Sequence, residues 1–203
     1  MAIYLIRHGE TASNAARIVQ TPDIPLSDRG SAQAERLAKR LATAGITDIV
    51  SSDLRRAVLT AEIVQRATAA QLHFDAGLQE RNYGDIRGRA YAEFDVDILS
   101  PEYEPPGGET WSQFHARVDL LWPRIVNAAR RATGSLAVIT HGLVCHSLVT
   151  RHLTLGDQPP PLRWANTSVT IIDVEPPWQV RVLNSTTHLK GGTTDDRGTL
   201  SGL

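Results

Sequence analysis

The sequence predicts a single α/β domain built from alternating strands and helices. Short apolar runs, such as Ile3 to Ile6 and Leu136 to Thr140, end in Gly-containing turns, as strands often do. The stretches between such runs carry apolar residues at helical spacing and begin at capping residues. The chain has 203 residues and a mass of 22.2 kDa, which is the size of one ordinary domain.

The first half of the chain alternates helices and strands after the opening strand. Apolar and small residues recur at helical spacing after Ser27, which is a suitable N-cap, and Gly45 lies just past the end of the pattern. The predicted elements are a helix from Ser27 to Ala44, a strand from Ile46 to Ser51, a helix capped by Ser52 or Asp53, and a strand from Gln71 to Phe74.

The second half contains a long irregular stretch before regular elements return. Residues 80–108 are punctuated by Gly and Pro, with one helix expected near Tyr91 to Leu99, and stretches of this length are usually functional or flexible. Thr110 and Gln113 form a capping box that opens a long helix. The later elements are a strand from Leu136 to Thr140, a helix through Leu153, and a hairpin of Ser168 to Val174 with Gln179 to Leu183. We expect the domain to span residues 1–189 and a Gly/Thr/Ser-rich tail to follow from Lys190.

The composition argues against several classes of protein. Hydrophobic residues make up 41% and charged residues 21%, which is typical of a globular chain. A net charge of -1 without a dense basic cluster argues against a nucleic-acid partner. No apolar run approaches the ~18 residues of a membrane span. The N-terminus lacks signal-peptide features, and Cys145 is the one cysteine, so we expect a cytoplasmic protein without a membrane partner. A homodimer is left open.

Two apolar strands run directly into His-Gly turns, at His8-Gly9 and at His141-Gly142. The carboxyl ends of strands line the ligand crevice in open α/β sheets, so both histidines can face one site. Either histidine alone is more simply explained as a turn residue with satisfied hydrogen bonds. The pair, with Arg7 beside the first histidine, favours a shared site.

Seven short motifs run along the chain in order. They are L-I-R-H-G-E-T-A-S-N (5–14), N-x-x-R-x-x-Q (14–20), P-L-S-x-R-G (25–30), V-S-S-D-L-x-R-A-x-x-T-A (50–61), L-x-E-R-x-Y-G-x-x-x-G (78–88), P-P-G-G-E-T (105–110) and V-I-T-H-G (138–142). Together they resemble the histidine phosphatase superfamily, the phosphoglycerate-mutase-like proteins, over nearly the whole chain. The resemblance implies a three-layer sandwich with a mostly parallel central sheet and helices on both faces.

The resemblance also implies phosphoryl transfer through a phosphohistidine. His8 is the expected nucleophile, because a neutral imidazole can attack phosphorus and split one displacement into two. Arg7, Arg55 and a protonated His141 are expected around the phosphoryl oxygens, whose charge needs fixed cationic donors. Glu80 is expected to protonate the leaving oxygen and then to deprotonate water. That role requires a raised pKa, which nearby phosphate charge and partial burial would produce.

Other polar residues are weaker candidates. Those expected to bind phosphate or substrate are Asn14, Gln20, Thr21, Arg81 and Gly142, with Asn166 as a further amide donor. We expect Glu10 to brace the signature turn and Glu109 to serve the positive end of the helix that follows it.

A competing motif is the C-x5-R spacing of Cys145 and Arg151, which cysteine-dependent phosphatases share. That chemistry needs a Gly-rich loop around the phosphate, whereas the residues between the two read as the body of a helix. We therefore interpret Cys145 as a small buried residue. His141 and His146 lie five residues apart, which is poor spacing for metal ligands on one helix face. No metal and no cofactor are expected.

The acidic stretch at residues 90–108 favours a phosphatase over a mutase. It holds five acids and no basic residue, whereas a mutase must hold a bisphosphorylated intermediate with additional cationic donors. The sequence therefore predicts a metal-independent phosphomonoesterase acting on a small phosphorylated metabolite. The alternatives are a cofactor-dependent phosphoglycerate mutase and a catalytically silent phosphate-binding protein of the same fold.

Overall fold

The computed structural model describes residues 1–190, whose central layer is a six-stranded sheet. The strands are β1 (Ile3–Arg7), β2 (Ile46–Ser51), β3 (Gln71–Phe74), β4 (Ser135–Thr140), β5 (Val169–Ile172) and β6 (Val180–Ser185). Their order is β3-β2-β4-β1-β5-β6. The first four pair in parallel, whereas β1 with β5 and β5 with β6 pair in antiparallel fashion. The predicted mostly parallel sheet and final hairpin are confirmed.

Helices cover both faces of this sheet. They are α1 (Ala12–Ala16), α2 (Asp28–Leu41), α3 (Arg55–Thr68), α4 (Trp111–Arg131) and α5 (Gly142–His152). Side chains alternate between the faces along a strand, and β4 shows the result. Leu136 and Val138 belong to the core cluster that includes residues of α4 and α5, whereas Ala137 and Ile139 belong to the cluster that includes residues of α2 and α3. The predicted three-layer sandwich is confirmed.

Two local predictions are wrong. The helix expected near Tyr91 to Leu99 is one 3₁₀ turn, Tyr91–Glu93, because acidic side chains accept hydrogen bonds from nearby backbone amides and compete with a helix. Glu93 Oε1 accepts from Ala90 N at 2.7 Å, and Asp97 Oδ1 accepts from Leu99 N at 2.9 Å.

The cap predicted for α3 also differs from the structure. Its N-cap is Leu54, which makes no side-chain cap hydrogen bond, whereas the Ser52 hydroxyl accepts from Leu54 N at 3.2 Å. The capping box of Thr110 and Gln113 is present as predicted. The five-residue helix α1 was not predicted, since it is too short for a periodic pattern.

The predicted C-terminal tail lies, apart from Lys190, outside the described residues. Within residues 1–190, none of the helices has the length and apolar character that crossing a membrane requires.

Candidate active site

Two histidines lie side by side where neighbouring strands end. β1 and β4 are parallel neighbours with Arg7 opposite Thr140, so the residues that follow, His8 and His141, leave the sheet together. Their ring centroids are 5.1 Å apart with an interplanar angle of 57°. Both side chains are buried. The structure thus brings together the two His-Gly turns that the sequence predicted would share a site.

The His8 ring is held in one tautomer. Its Nδ1 lies 2.7 Å from the Gly9 carbonyl oxygen, and because a carbonyl only accepts, Nδ1 carries the proton. Nε2 therefore keeps its lone pair. Burial, followed by the charges of Arg56 and Arg7, lowers the pKa of His8 well below its usual value. The ring is therefore neutral at physiological pH, as a nucleophile must be.

The arginine beside these histidines is Arg56, and the assignment of Arg55 to the phosphate pocket is wrong. Arg55 is exposed at the first position of α3. Arg56 is only 2% exposed, and its Nη1 donates to the Thr21 carbonyl at 3.1 Å. Successive helical residues point about 100° apart, so only one of the two can face the pocket.

Arg7 and Arg56 supply the positive charge of the site. Arg7 is 2% exposed, and its guanidinium donates to the Trp164 carbonyl. Burial lowers the pKa of Arg56 to about 10, so the group still carries its charge at neutral pH. The two guanidinium groups are therefore buried cations close to the two histidines, where they would stabilise an anionic ligand.

His141 is neutral in this pocket, which differs from the protonated form that the sequence analysis expected. Burial lowers its pKa well below the usual value, and the charge of Arg56 adds to the effect. Its Nε2 lies 2.8 Å from the Ser52 hydroxyl, whereas Nδ1 has no hydrogen-bond partner within residues 1–190. A neutral ring can still donate one hydrogen bond, so the charge comes from the two arginines.

Glu80 is the carboxyl group of the site. Its Oε1 accepts from Arg81 N at 3.1 Å and its Oε2 from Leu143 N at 3.2 Å. Burial raises its pKa, an effect larger than the opposing effects of these two amides and of the charges on Arg56 and Arg7. A partly buried carboxyl with a raised pKa keeps its proton to higher pH and can act as an acid.

Arg117 holds the segment around Glu80 in place through an ion pair and several hydrogen bonds, which the sequence analysis did not predict. Arg117 on α4 donates from Nε and Nη2 to the two Glu109 oxygens, both at 2.8 Å. Its Nη1 donates at 2.8 Å to the carbonyls of Gly77 and Gln79. Glu109 therefore pairs with Arg117 instead of serving only the helix end. Arg117 lies 37 residues from Glu80, and no local pattern indicates such a long-range contact.

A pocket adjoins these residues, and the two histidines are buried next to it without lining it. Its lining includes Arg7, Arg56, Glu80, Gln20, Thr21 and Arg81, the last three being predicted binding residues. Gln20 Oε1 accepts from the Thr11 hydroxyl at 2.8 Å. Arg81 is held against the protein, because Nε donates to the Glu109 carbonyl and Nη2 to the Tyr103 carbonyl.

The remaining predicted binding residues are buried around the histidine turns and do not line this pocket. Asn14 Oδ1 accepts from Thr11 N at 3.2 Å and from Asn166 Nδ2 at 3.3 Å. Asn166 Nδ2 also donates to the His8 carbonyl at 3.1 Å, so it holds the turn that carries His8. Gly142 is the first residue of α5.

Besides Arg56, the sequence analysis did not predict three further polar residues that line the pocket. Tyr83, Arg87 and Tyr91 line the pocket, and the three lie in the irregular stretch after Glu80. The five acids of residues 90–108 do not line it, and all five are exposed. The stretch therefore contributes aromatic and basic groups to the pocket, and its acids face solvent.

Two alternative chemistries find little support in the geometry. Cys145 is buried, and burial raises its pKa, so the thiol stays protonated, as the interpretation of a small buried residue predicts. No group of three or more His, Cys, Asp or Glu side chains within residues 1–190 is arranged to hold a metal ion.

Glu10 braces the signature turn, as predicted. Its carboxylate accepts from the Ser27 hydroxyl at 3.0 Å and lies 3.3 Å from Arg29 Nη1, while its backbone carbonyl accepts from Ser27 N at 2.9 Å. These contacts join the loop after β1 to the start of α2.

The chain is similar to several known proteins. The chain is 31% identical to the probable phosphoglycerate mutase GpmB of Citrobacter koseri over 97% of this chain and 98% of that protein. Its structure is similar to that of Bacillus stearothermophilus YhfR, with a TM-score of 0.79 and 32% identity over 92% of this chain and 98% of the other.

A mycobacterial glucosyl-3-phosphoglycerate phosphatase in complex with VO3 is also similar. The TM-score is 0.75 with 26% identity over 91% of this chain and 99% of that one. Residues 3–186 match the sequence family described as the histidine phosphatase superfamily, branch 1. The chain therefore belongs to the histidine phosphatase superfamily.

Proposed function

We propose that this protein hydrolyses phosphomonoesters of small metabolites through a phosphohistidine at His8. The observation that carries the proposal is the state of His8. Its Nδ1 proton is hydrogen-bonded to the Gly9 carbonyl, so Nε2 keeps its lone pair. Burial, together with the charges of two buried arginines, lowers its pKa. Such a ring is a poised nucleophile beside a site for a phosphoryl dianion.

In the first step, His8 Nε2 attacks phosphorus while the bond from phosphorus to the ester oxygen breaks. A bond from nitrogen to phosphorus forms, and the leaving oxygen takes the proton of Glu80. Arg7 and Arg56 stabilise the charge on the three equatorial oxygens, and His141 adds a neutral hydrogen bond. The products of this step are an alcohol, phosphorylated His8 and ionised Glu80.

In the second step, Glu80 removes a proton from water as the water oxygen attacks the phosphohistidine. The bond between nitrogen and phosphorus breaks, inorganic phosphate leaves, and both His8 and Glu80 return to their starting forms. One carboxyl thus acts first as acid and then as base. Its raised pKa favours the protonated form that the first step needs.

A Glu80→Gln substitution should reduce hydrolysis of alkyl phosphates by about 10²–10⁴-fold, the range of general acid catalysis. Hydrolysis of p-nitrophenyl phosphate should fall much less in the first step, because that leaving group needs little protonation. The wild-type rate with alkyl phosphates should also fall as pH rises through the raised pKa of Glu80, since the acid form is then lost. Burst-phase and steady-state kinetics on both esters would measure these effects.

Glu104→Gln, at an exposed carboxylate outside the pocket, is the matched control. Equal first-step losses on both esters in Glu80→Gln would mean that Glu80 positions the phosphate and does not act as an acid.

Hydrolysis and mutase chemistry share these catalytic groups, so the choice between them rests on the rest of the pocket. The electrostatic reason expected from residues 90–108 does not apply, because their acids face solvent. Hydrolysis is supported instead by the cation count. Two further arginines line the pocket, Arg81 and Arg87. Arg81 is held by backbone carbonyls, and of these two only Arg87 has no side-chain hydrogen bond or ion pair among the described residues. A second phosphoryl dianion calls for more donors.

A phosphoglycerate mutase is the second candidate, favoured by the similarity to GpmB. The two are separated by measuring phosphate release from a metabolite panel beside a coupled mutase assay, on one preparation dialysed against a strong chelator. We expect phosphate release to exceed mutase turnover and to survive dialysis. Mutase turnover above hydrolysis would contradict the proposal, and a loss restored by a divalent ion would contradict its metal independence.

The remaining expectations are proposals of the same kind. A small phosphorylated metabolite is the proposed partner, and a cytoplasmic location fits a chain whose one cysteine is a buried free thiol. A silent phosphate-binding protein is less well supported, because a neutral nucleophile and a partly buried acid are both in place.

A further inference from the structure

Ser52 contacts the second histidine of the site from the end of β2. The strands β2 and β4 pair in parallel with Ser51 opposite Ile139, so Ser52 leaves the sheet beside the strand that precedes His141. Ser52 and His141 are both fully buried. Ser52 Oγ lies 2.8 Å from His141 Nε2, and it also accepts a hydrogen bond from Leu54 N at 3.2 Å. One hydroxyl therefore joins the start of α3 to the ring.

The supply of donors and acceptors decides the direction of the hydrogen bond between Ser52 and His141. A hydroxyl has one proton to donate, and a neutral imidazole carries its proton on one of two nitrogens. If Nε2 carried the proton, the ring would donate to Ser52, and the hydroxyl proton would have no acceptor among residues 1–190. The Nδ1 lone pair would be a second buried group without a partner.

If Nδ1 carries the proton instead, Ser52 donates to Nε2 and the Nδ1–H is the one group of this pair left without a partner in the described chain. Buried polar groups in native proteins are mostly hydrogen-bonded, and each unpaired one costs free energy. The tautomer with its proton at Nδ1 leaves fewer such groups and is therefore the favoured one.

The remaining Nδ1–H needs an acceptor, and the surroundings of the ring indicate an anion. The centroid of the His141 ring lies 5.1 Å from that of His8, and the charge of Arg56 acts on the ring. Because Ser52 occupies Nε2, Nδ1 is the ring nitrogen left for a ligand bound beside His8. A phosphoryl oxygen accepts a hydrogen bond from Nδ1–H, whereas the other tautomer would present a lone pair to a negatively charged oxygen.

We propose that Ser52 is a positioning residue that holds His141 in the tautomer with its proton at Nδ1, which makes the ring a hydrogen-bond donor to the phosphoryl group. This inference rests on the proposed function for the identity of the anion. Ser52 acts through His141 and not on the ligand, because the hydrogen bond at one ring nitrogen decides which nitrogen carries the proton.

The first measurement is the tautomer of His141 in the ligand-free protein, from nitrogen NMR spectra of protein that carries isotope-labelled histidine. Protonated and unprotonated ring nitrogens give well-separated signals, and the His141 signals are identified by their loss in His141→Gln. The wild-type ring should carry its proton at Nδ1 alone. Ser52→Ala should show a population protonated at Nε2, whereas Ser52→Thr, which keeps the hydroxyl, should retain the wild-type pattern.

The second measurement is the binding of inorganic phosphate to the same variants, by calorimetric titration. Ser52→Ala should bind phosphate about tenfold more weakly than the wild type, as expected for the loss of one hydrogen bond to a charged group. Ser52→Thr should recover most of that affinity. Ser51→Ala is the matched control and should keep both the tautomer and the affinity, because Ser51 is a buried neighbouring serine whose hydroxyl donates to the Ser52 carbonyl at 2.9 Å.

A wild-type ring protonated at Nε2, or at both nitrogens, would overturn the proposal, and this result does not depend on whether any variant folds. An unchanged tautomer or an unchanged phosphate affinity in Ser52→Ala would also overturn it, as would equal losses in Ser51→Ala or no phosphate binding by the wild type at millimolar concentration. The proposed hydrolysis is judged separately, by covalent labelling of His8. A protein with the expected tautomer and phosphate binding that forms no phosphohistidine would contradict the hydrolytic mechanism and leave the role of Ser52 intact.

Discussion

Arg56→Ala should lower kcat/KM for phosphomonoesters by about 10²–10³-fold, because it removes a buried cation that stabilises the transferring phosphoryl group. Arg55→Ala, one residue earlier, should change it by no more than about twofold, as is usual for an exposed side chain. Steady-state kinetics on the two variants compare neighbouring residues of the same type on one helix. The contrast tests directly which arginine belongs to the pocket.

Arg56→Lys distinguishes loss of the guanidinium from loss of folded protein, because lysine keeps the positive charge but lacks the planar fork. It should retain part of the lost activity, and thermal melting should show that the variants are folded. Similar losses in Arg55→Ala and Arg56→Ala would argue that the start of α3, and not one guanidinium, supports catalysis.

His8→Ala should reduce hydrolysis by at least about 10³-fold, since no other group in the pocket can replace an attacking imidazole. His73→Ala is the control, because His73 is an exposed histidine on β3 away from the pocket. Phosphate release under substrate saturation measures both. Substantial activity in His8→Ala would show that another residue is the nucleophile.

Most of the architecture could be predicted from the sequence because local patterns determine it. Short apolar runs and Gly-containing turns mark the strands, and the capping box at Thr110 marks the start of α4. The irregular stretch after Glu80 could not be predicted in this way. Its form depends on individual side-chain contacts with the backbone, such as Glu93 with Ala90, and on burial against distant elements.

The histidines of the candidate site could be predicted from the strand ends, and the motif V-S-S-D-L-x-R-A already placed the arginine at position 56 and the variable residue at 55. His8 and His141 follow apolar strands, so the sheet itself places them together. Arg55 and Arg56 are adjacent residues of the same type, and the side that faces the pocket depends on where α3 begins. Placing the cap at Ser52 or Asp53 instead of Leu54 obscured that start.

Long-range contacts could not be predicted from the sequence. Arg117 reaches Glu109 and the backbone around Glu80 from another helix, and Arg87 lines the pocket from a segment without periodicity. The acidity of residues 90–108 was misleading for a related reason, because charge counted along the chain does not reveal which side chains face solvent.

The central claim is the covalent intermediate at His8, and rapid-quench labelling tests it most directly. Wild-type protein mixed with a phosphomonoester labelled on phosphorus should acquire protein-bound label that is acid-labile and base-stable, as a phosphohistidine is. Peptide mapping should place the label on His8, and His8→Ala should acquire none. Label that persists in full in His8→Ala, or a wild-type protein that turns over substrate without any label at early times, would contradict the account.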